Sequence, residues 1–133
     1  MRIGELARIT HTGVDTIRYY ERIGLLPTAK RSSNGYREYS EAHRELLTIA
    51  RECRALDMPL ADTRRLLTAI SQPDQECREI DELVAHQLAQ VQQRLKALQT
   101  LEARLRALQA SCGKPLRTAE CGILKALRHG PSY

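Results

Sequence analysis

The feature that most constrains this chain is a stretch, residues 75–112, that contains neither glycine nor proline. Its apolar side chains recur at spacings of three and four residues, the pattern of a long helix with one narrow apolar stripe. The stripe comprises Ile80, Val84, Leu88, Val91, Leu95, Leu98, Leu101, Leu105 and Leu108. A helix cannot bury such a stripe alone, and a second copy of the same helix is the simplest partner. The sequence therefore predicts a dimer that forms through this helix.

The first 24 residues predict a helix, a tight turn and a second helix. Apolar residues repeat at helical spacing in residues 3–9, turn-forming residues follow at 10–13, and a second helical pattern ends near Gly24. Thr12, with Asp15 three residues later, is predicted to form a capping box at the start of the second helix. In a helix-turn-helix the second helix enters the DNA major groove, but two short helices joined by a turn also occur in other folds.

Residues 28–39 predict a small β-hairpin beside these helices. Asn34-Gly35 is a typical hairpin turn, and basic and aromatic residues flank it. Four of the five tyrosines lie in or just beyond the basic segment 18–37. Lys and Arg neutralise phosphates and Tyr hydroxyls donate to them. The sharper interpretation is a phosphate-contacting surface, and the simpler one is a solvated basic surface.

Two further helices are predicted between the hairpin and the long helix. Ser40 is placed as the cap of the first, whose apolar line is Leu46, Ile49, Ala50, Cys53 and Leu56. The second begins at Pro59 and carries Leu60, Leu66, Leu67 and Ile70. Because Cys53 falls on an apolar line, we interpret it as a core thiol.

The composition indicates a folded chain that is neither disordered nor membrane-embedded. It has 133 residues, 42% hydrophobic and 28% charged, with a formal net charge of +5. The first ten residues carry charges where a signal peptide needs an apolar stretch, and no run of eighteen apolar residues occurs. We expect a cytoplasmic protein without membrane contact. Thiols stay reduced there, so the four cysteines suggest metal ligands or core residues before disulfides.

Three cysteines raise a geometric question. Cys77 lies near the start of the long helix, Cys112 lies just beyond its last leucine, and Cys121 follows across a short loop. One helix would separate Cys77 from Cys112 by about 52 Å, whereas thiolates that share an ion lie roughly 4 Å apart. An antiparallel pair of helices would bring Cys77 of the partner subunit to Cys112 and Cys121. The alternative is that Cys112 and Cys121 staple a small loop and that Cys77 has no role.

Three thiolates would favour particular metals. No fourth tetrahedral ligand lies between Cys112 and Cys121, so a structural zinc site is less attractive. Large, soft cations such as lead, cadmium and mercury accept three sulfur ligands. His86 is the one histidine considered as a further ligand, although a solvated helix position is the simpler interpretation for it.

Several segments together resemble the MerR family of transcriptional regulators. The resemblance is carried by Ile3–Ala7, Thr16–Glu21, Gly24–Leu26 and Asn34–Tyr39, and it extends over essentially the whole chain. Residues 53–60 and 121–124 look most like the lead- and cadmium-responsive branch, with the mercury sensors next. The resemblance implies a mainly α fold. Its predicted parts are a winged helix-turn-helix at 1–70, a long antiparallel coiled-coil dimerisation helix at 71–111, and a metal-binding loop with a short C-terminal helix at 112–133.

The resemblance also implies a function. A homodimer would bind a dyad-symmetric promoter and repress it without metal. When a soft heavy-metal ion binds, the same dimer would activate the promoter for RNA polymerase by distorting the DNA. Pb(II) or Cd(II) is the favoured ion, Hg(II) is possible and Zn(II) is less favoured. Its metal ligands would be Cys77 from the partner subunit, Cys112 and Cys121. The predicted DNA contacts are Thr16, Arg18, Tyr19, Tyr20, Arg31, Asn34, Tyr36 and Arg37. No enzymatic residue arrangement is evident, and the competing hypothesis is a dimeric metal-buffering or thiol-redox protein.

Overall fold

The computed structural model describes residues 1–112 and 117–130, and it is mainly helical. The middle of the predicted metal-binding loop, residues 113–116, lies outside the described residues, as do residues 131–133. The elements in chain order are α1 (Ile3–Thr10), α2 (Val14–Arg22), β1 (Lys30–Arg31), β2 (Arg37–Glu38), α3 (Glu41–Ala55), α4 (Leu60–Ile70), α5 (Arg78–Ala110), a 3-10 turn (Thr118–Glu120) and α6 (Gly122–His129). The chain forms two compact units, Met1–Leu83 and Val84–Tyr133.

The core of the first unit is built from one large apolar side chain of each early element. Four of these side chains are at most 2% exposed: Leu6 of α1, Ile17 of α2, Leu26 after α2 and Leu47 of α3. The chain reverses after α2 at Gly24, whose φ of +77° favours glycine. The backbone N–H groups that follow donate back to the Tyr20 carbonyl and close the helix end. The predicted helix, turn and helix are confirmed.

The helix starts differ from the prediction at one point. Thr12 Oγ1 lies 3.1 Å from the Thr10 carbonyl oxygen and donates to it, and the N-cap of α2 is Gly13, which has no side chain to cap with. The predicted capping box of Thr12 and Asp15 is therefore wrong. At α3, by contrast, Ser40 is the N-cap as predicted, and its backbone N–H lies 3.2 Å from His43 Nδ1 in a reciprocal capping box.

The hairpin is formed as predicted. The two short strands are antiparallel, with Lys30 opposite Glu38 and Arg31 opposite Arg37. In the turn, the Gly35 N–H donates to the Ser32 carbonyl at 2.9 Å. Gly35 has a φ of +82°, which is the left-handed conformation that an Asn-Gly turn supplies.

The inward face of α3 matches the predicted apolar line only in part, since Ala50 and Cys53 are buried as predicted but Leu47 rather than Leu46 faces the core. Its buried residues are His43, Leu47, Ala50 and Cys53. Leu46 and Ile49 lie beside this line and are half-buried, and Leu56 is 61% exposed because it follows the last helical residue. The interpretation of Cys53 as a core thiol is confirmed, since this residue is 4% exposed and burial raises the pKa of its thiol.

The long helix α5 is continuous over 33 residues. Its apolar stripe is largely solvent-exposed in the single chain, at 44–66% for Val84, Leu88, Val91, Leu95, Leu98, Leu101 and Leu105. Leu83, which the predicted stripe omits, is instead buried in the first unit. Among the described residues, no helix is both long and apolar enough to cross a membrane. The mainly α fold, the helix-turn-helix and the long helix are confirmed, and the antiparallel pairing stays a prediction.

Candidate functional site

The outer face of α2 carries most of the DNA contacts predicted for this helix. Arg18 and Tyr19 are exposed and Thr16 is half-exposed. The Arg22 guanidinium carbon lies 5.6 Å from the centroid of the Tyr19 ring, within the range of a cation–π contact. Tyr20 is different, because it is only 8% exposed and belongs to the core with Ile17. Little of the Tyr20 side chain is therefore left to contact DNA.

The hairpin presents a second set of predicted contacts. Arg31, Asn34, Tyr36 and Arg37 are all exposed. Arg31 Nη1 donates to the Gly35 carbonyl at 3.0 Å, which fixes the arginine against its own turn.

A basic cleft separates α2 from the hairpin. Its volume is about 650 Å³, and Arg18 and Arg22 line one side while Tyr36 and Arg37 line the other. Arg2 also lines the cleft, with its guanidinium carbon 4.0 Å from the centroid of the Tyr36 ring. This surplus of positive charge suits a phosphate backbone. Sequence reasoning missed Arg2, because no periodic pattern connects the residue before α1 with the hairpin.

Two of the three predicted metal ligands lie together at the end of the second unit. Cys121 is the N-cap of α6, and the Cys112 thiol lies close enough to influence the thiol of Cys121. The backbone N–H of Leu124 holds the pKa of the Cys121 thiol below its usual value, and the N–H of Ile123 and the Cys112 thiol act in the same direction. The thiolate that a soft metal requires is therefore favoured at Cys121.

A glycine allows this pairing of thiols. A Cβ at Gly122 would lie 1.9 Å from the backbone oxygen of Ser111, so the first residue of α6 approaches the chain at the end of α5 as only glycine can. Cys112 follows Ser111 and Cys121 precedes Gly122 in the sequence. The close approach of the two backbones thus explains why the two cysteines meet.

The third predicted ligand lies at the opposite end of α5. Cys77 is exposed, and its carbonyl accepts the Asp81 N–H at 2.9 Å, which places it at the cap of the helix. Cys77 therefore lies at the start of the long helix, directly before its first residue Arg78. Across residues 1–112 and 117–130, no three His, Cys, Asp or Glu side chains lie close enough together to hold a metal ion. His86 is exposed, with Nε2 3.4 Å from the Gln90 amide nitrogen.

Comparison with known proteins identifies the class. Residues 1–70 match the family model of MerR HTH family regulatory proteins, and residues 44–108 match that of the MerR DNA-binding region. The chain is 35% identical over 133 residues to the HTH-type transcriptional regulator ZntR of Escherichia coli K12, covering 98% of this chain and 94% of the relative. The chain therefore belongs to the MerR family of helix-turn-helix regulatory proteins.

Solved structures of regulators are also similar. The crystal structure of PbrR691 from Ralstonia metallidurans CH34 in complex with lead(II) is 42% identical, with a TM-score of 0.83, covering 96% of this chain and 98% of that one. MerR from Bacillus megaterium MB1 in complex with mercury(II) is 26% identical, with a TM-score of 0.74, covering 96% and 99%. The protein is a metal-responsive transcriptional regulator rather than an enzyme, and proteins of this family bind promoter DNA as dimers.

Proposed function

We propose that the protein acts as a homodimer on a dyad-symmetric promoter and senses a soft heavy-metal ion with thiolates from both subunits. Each site would consist of Cys112 and Cys121 of one chain with Cys77 of the partner subunit. The observation that carries this proposal is the close backbone approach that brings Cys112 and Cys121 together beyond one end of α5, while Cys77 lies at the cap of its other end. A single chain supplies two sulfurs at one place and the third at another.

The exposed stripe of α5 supports the dimer. Large apolar side chains from Val84 to Leu105 are about half exposed along one line of the helix. Burying apolar surface stabilises a protein by roughly 25 cal/mol per Å², and an identical helix offers a matching stripe. Antiparallel pairing would set the start of one α5 beside the end of the other, so one interface would bury both stripes and complete both sites.

The donor set favours a large, soft cation. Sulfur ligands suit Pb(II) and Cd(II), and Hg(II) is possible, whereas Zn(II) normally takes a fourth ligand in a structural site. The similar regulators solved with lead(II) and with mercury(II) support this preference. His86 stays a candidate for a fourth ligand. A bound ion would supply the bonds that join the two subunits at each site.

The DNA surface proposed for each subunit consists of α2 and the hairpin. It lies within the DNA-binding segment 1–70, which precedes the dimerisation segment 71–111 and the metal-binding segment 112–133. Tyr20 is removed from the predicted contacts because of its burial. The retained contacts are Thr16, Arg18, Tyr19, Arg31, Asn34, Tyr36 and Arg37, which are exposed except for the partly buried Thr16.

The regulatory cycle follows the family resemblance. In the cytoplasm the metal-free dimer would hold its promoter silent. With metal, the same bound dimer would underwind and bend the promoter until RNA polymerase can use it. A protein drives such a change by making better contacts with the deformed duplex than with the relaxed one.

A mixed dimer tests the shared site. One subunit carries Cys77→Ser and the other carries Cys112→Ser, so one site loses two ligands and the other keeps all three. We expect the mixed dimer to bind one ion per dimer with wild-type affinity, where the wild type binds two. Each mutant homodimer should bind at least about 100-fold more weakly, since every site lacks a ligand. Titration with Pb(II), followed by its sulfur-to-metal absorption band, measures both quantities.

Two outcomes of that titration would contradict the proposal. A mixed dimer that binds no ion tightly would exclude sites shared between chains. A mixed dimer that binds two ions tightly would show that neither of the substituted cysteines is needed as a ligand. Transcription in vitro with a panel of metals then identifies the ion that activates the promoter.

A further inference from the structure

One buried carboxylate lies in the basic cleft between α2 and the hairpin. Glu21 is the penultimate residue of α2, and its side chain is only 4% exposed. A carboxylate on a DNA-binding surface repels phosphates, and burying a charge is costly unless it is paired. Its position therefore works against DNA affinity and against folding stability, which calls for a compensating role.

Three donors from the hairpin segment surround this carboxylate. Glu21 Oε2 accepts from Arg37 Nη1 at 3.0 Å and lies 3.4 Å from the Ala29 backbone nitrogen. Glu21 Oε1 accepts from the Tyr39 hydroxyl. Ala29 precedes β1, Arg37 lies in β2 and Tyr39 follows it. A single side chain of α2 thus holds both flanks of the hairpin.

The chemistry of these bonds makes them persistent. Hydrogen bonds to an ionised group are stronger than neutral ones, and screening by solvent is weak around a buried group. Burial, followed by the bond to Glu21, raises the pKa of Tyr39 to about 12. The phenol therefore stays protonated and donates over the whole physiological pH range.

The pairing also divides the arginines of the cleft into two groups. Arg37 is about half exposed, yet its guanidinium is already bonded to Glu21. Its position is therefore set by α2 as well as by its own strand. Arg18 and Arg22 lie on α2 itself, so a fixed hairpin gives these three cations a constant spacing along the cleft.

We infer that Glu21 is a positioning residue for DNA binding, which fixes the hairpin against α2 so that Arg37 and the arginines of α2 engage one stretch of DNA backbone together. This inference rests on the DNA surface of the proposed function. Tight DNA binding would thus require an acidic residue that does not itself contact the DNA.

Glu21→Gln tests the inference through the sign of its effect. Charge alone predicts tighter DNA binding, because a negative group leaves a basic cleft. Positioning predicts about tenfold weaker binding and a salt dependence of the binding constant that is shallower by about one phosphate contact. Affinity for a dyad-symmetric promoter fragment, measured at several salt concentrations, decides between them. Tighter or unchanged binding would overturn the inference.

Glu41→Gln is the matched control. It removes the same charge just beyond the hairpin, but the Glu41 side chain is 76% exposed and its partner Arg44 lies 3.7 Å away on the same helix. We expect DNA affinity to stay within about twofold of the wild type.

Tyr39→Phe serves as a milder variant, which removes one donor and should weaken DNA binding two- to threefold while preserving the fold. If neither Tyr39→Phe nor Glu21→Gln weakens DNA binding while the control is unchanged, the inference is contradicted.

Two further readouts separate positioning from general structure. In an Arg37→Ala background, Glu21→Gln should cost clearly less than tenfold, because part of its effect acts through Arg37. Fully additive effects would contradict this. Hydrogen exchange of the hairpin amides should accelerate in Glu21→Gln while the amides of α1 keep their protection. Unchanged hydrogen exchange in the hairpin would overturn the inference whatever the DNA result. If the wild-type protein does not bind the promoter fragment, the proposed function is refuted instead.

Discussion

The two units of the chain differ in how far a single copy completes them. In Met1–Leu83 the large apolar side chains close on each other, with Leu6 and Ile17 fully buried. In Val84–Tyr133 a line of large apolar residues stays about half exposed, and among the described residues no third metal-ligating side chain lies with the Cys112 and Cys121 thiols. The first unit can therefore be understood from one chain. Under the proposed function, the second is completed by another copy and an ion.

The buried polar groups of the first unit are satisfied within a single chain. Within the described residues, no buried side-chain nitrogen or oxygen lacks a hydrogen-bond partner. Thr10 Oγ1 donates to the Leu6 carbonyl at 2.7 Å, and His43 Nε2 lies 2.9 Å from the Pro27 carbonyl oxygen, so even the polar core of the first unit is satisfied internally. Such a unit holds a DNA surface rigidly. A unit that is completed from outside is better suited to report whether a ligand is present.

Placing a charge on the stripe of α5 should have the largest effect. Leu95→Glu would bury a carboxylate from each subunit in an apolar interface, and we expect the dimer dissociation constant to rise by more than about 100-fold, since burying unpaired charge costs several kcal/mol. Gln93→Glu, which adds the same charge at another exposed position of the helix, is the control. Sedimentation equilibrium measures both. A Leu95→Glu protein that dimerises like the wild type would remove the basis for the contrast between the units.

Truncating the core of the first unit should have the next largest effect. Leu6→Ala removes a side chain that is 0% exposed and should lower the free energy of unfolding by about 2–5 kcal/mol. Leu56→Ala, at a leucine that is 61% exposed, should change it by less than about 0.5 kcal/mol. The loss in Leu6→Ala should be the same at two protein concentrations, because the contacts lie within one chain. Urea denaturation checks this, and a loss that depends on concentration would argue for an interface instead.

Local pattern was enough to predict most of the fold. Helical spacing predicts α1, α2 and α5, and Asn34-Gly35 predicts the hairpin, because each signal lies within a few residues of the structure that it causes. The errors arise where two local choices are nearly equal. Leu46 and Leu47 are adjacent, and either could continue an apolar line on α3. Packing against other elements decides which one faces inward, and that information is not local.

The same reason limits prediction of the site. Tyr19 and Tyr20 are adjacent, and only the burial of Tyr20 in the core distinguishes the exposed ring from the buried one. The pair of Glu21 and Arg37 joins residues far apart in sequence through no periodic pattern. The arrangement of the thiols is easier to predict from the sequence. The length of α5 alone separates Cys77 from Cys112, so a site that includes both would need a second chain.

The smallest effect is expected at Cys53, the buried one of the two cysteines in the first unit. Cys53→Ala should lower the free energy of unfolding by only about 1 kcal/mol, since a small buried side chain is lost, and should leave metal affinity unchanged. In the native protein Cys53 should also resist iodoacetamide, because it is 4% exposed and burial raises the pKa of its thiol, whereas the exposed Cys77 should react. Mass spectrometry of alkylated peptides and a Pb(II) titration test both points. If Cys53→Ala weakened metal binding, the core of the first unit would take part in sensing, and the division between a self-contained DNA-binding core and a sensing site made of Cys77, Cys112 and Cys121 would fail.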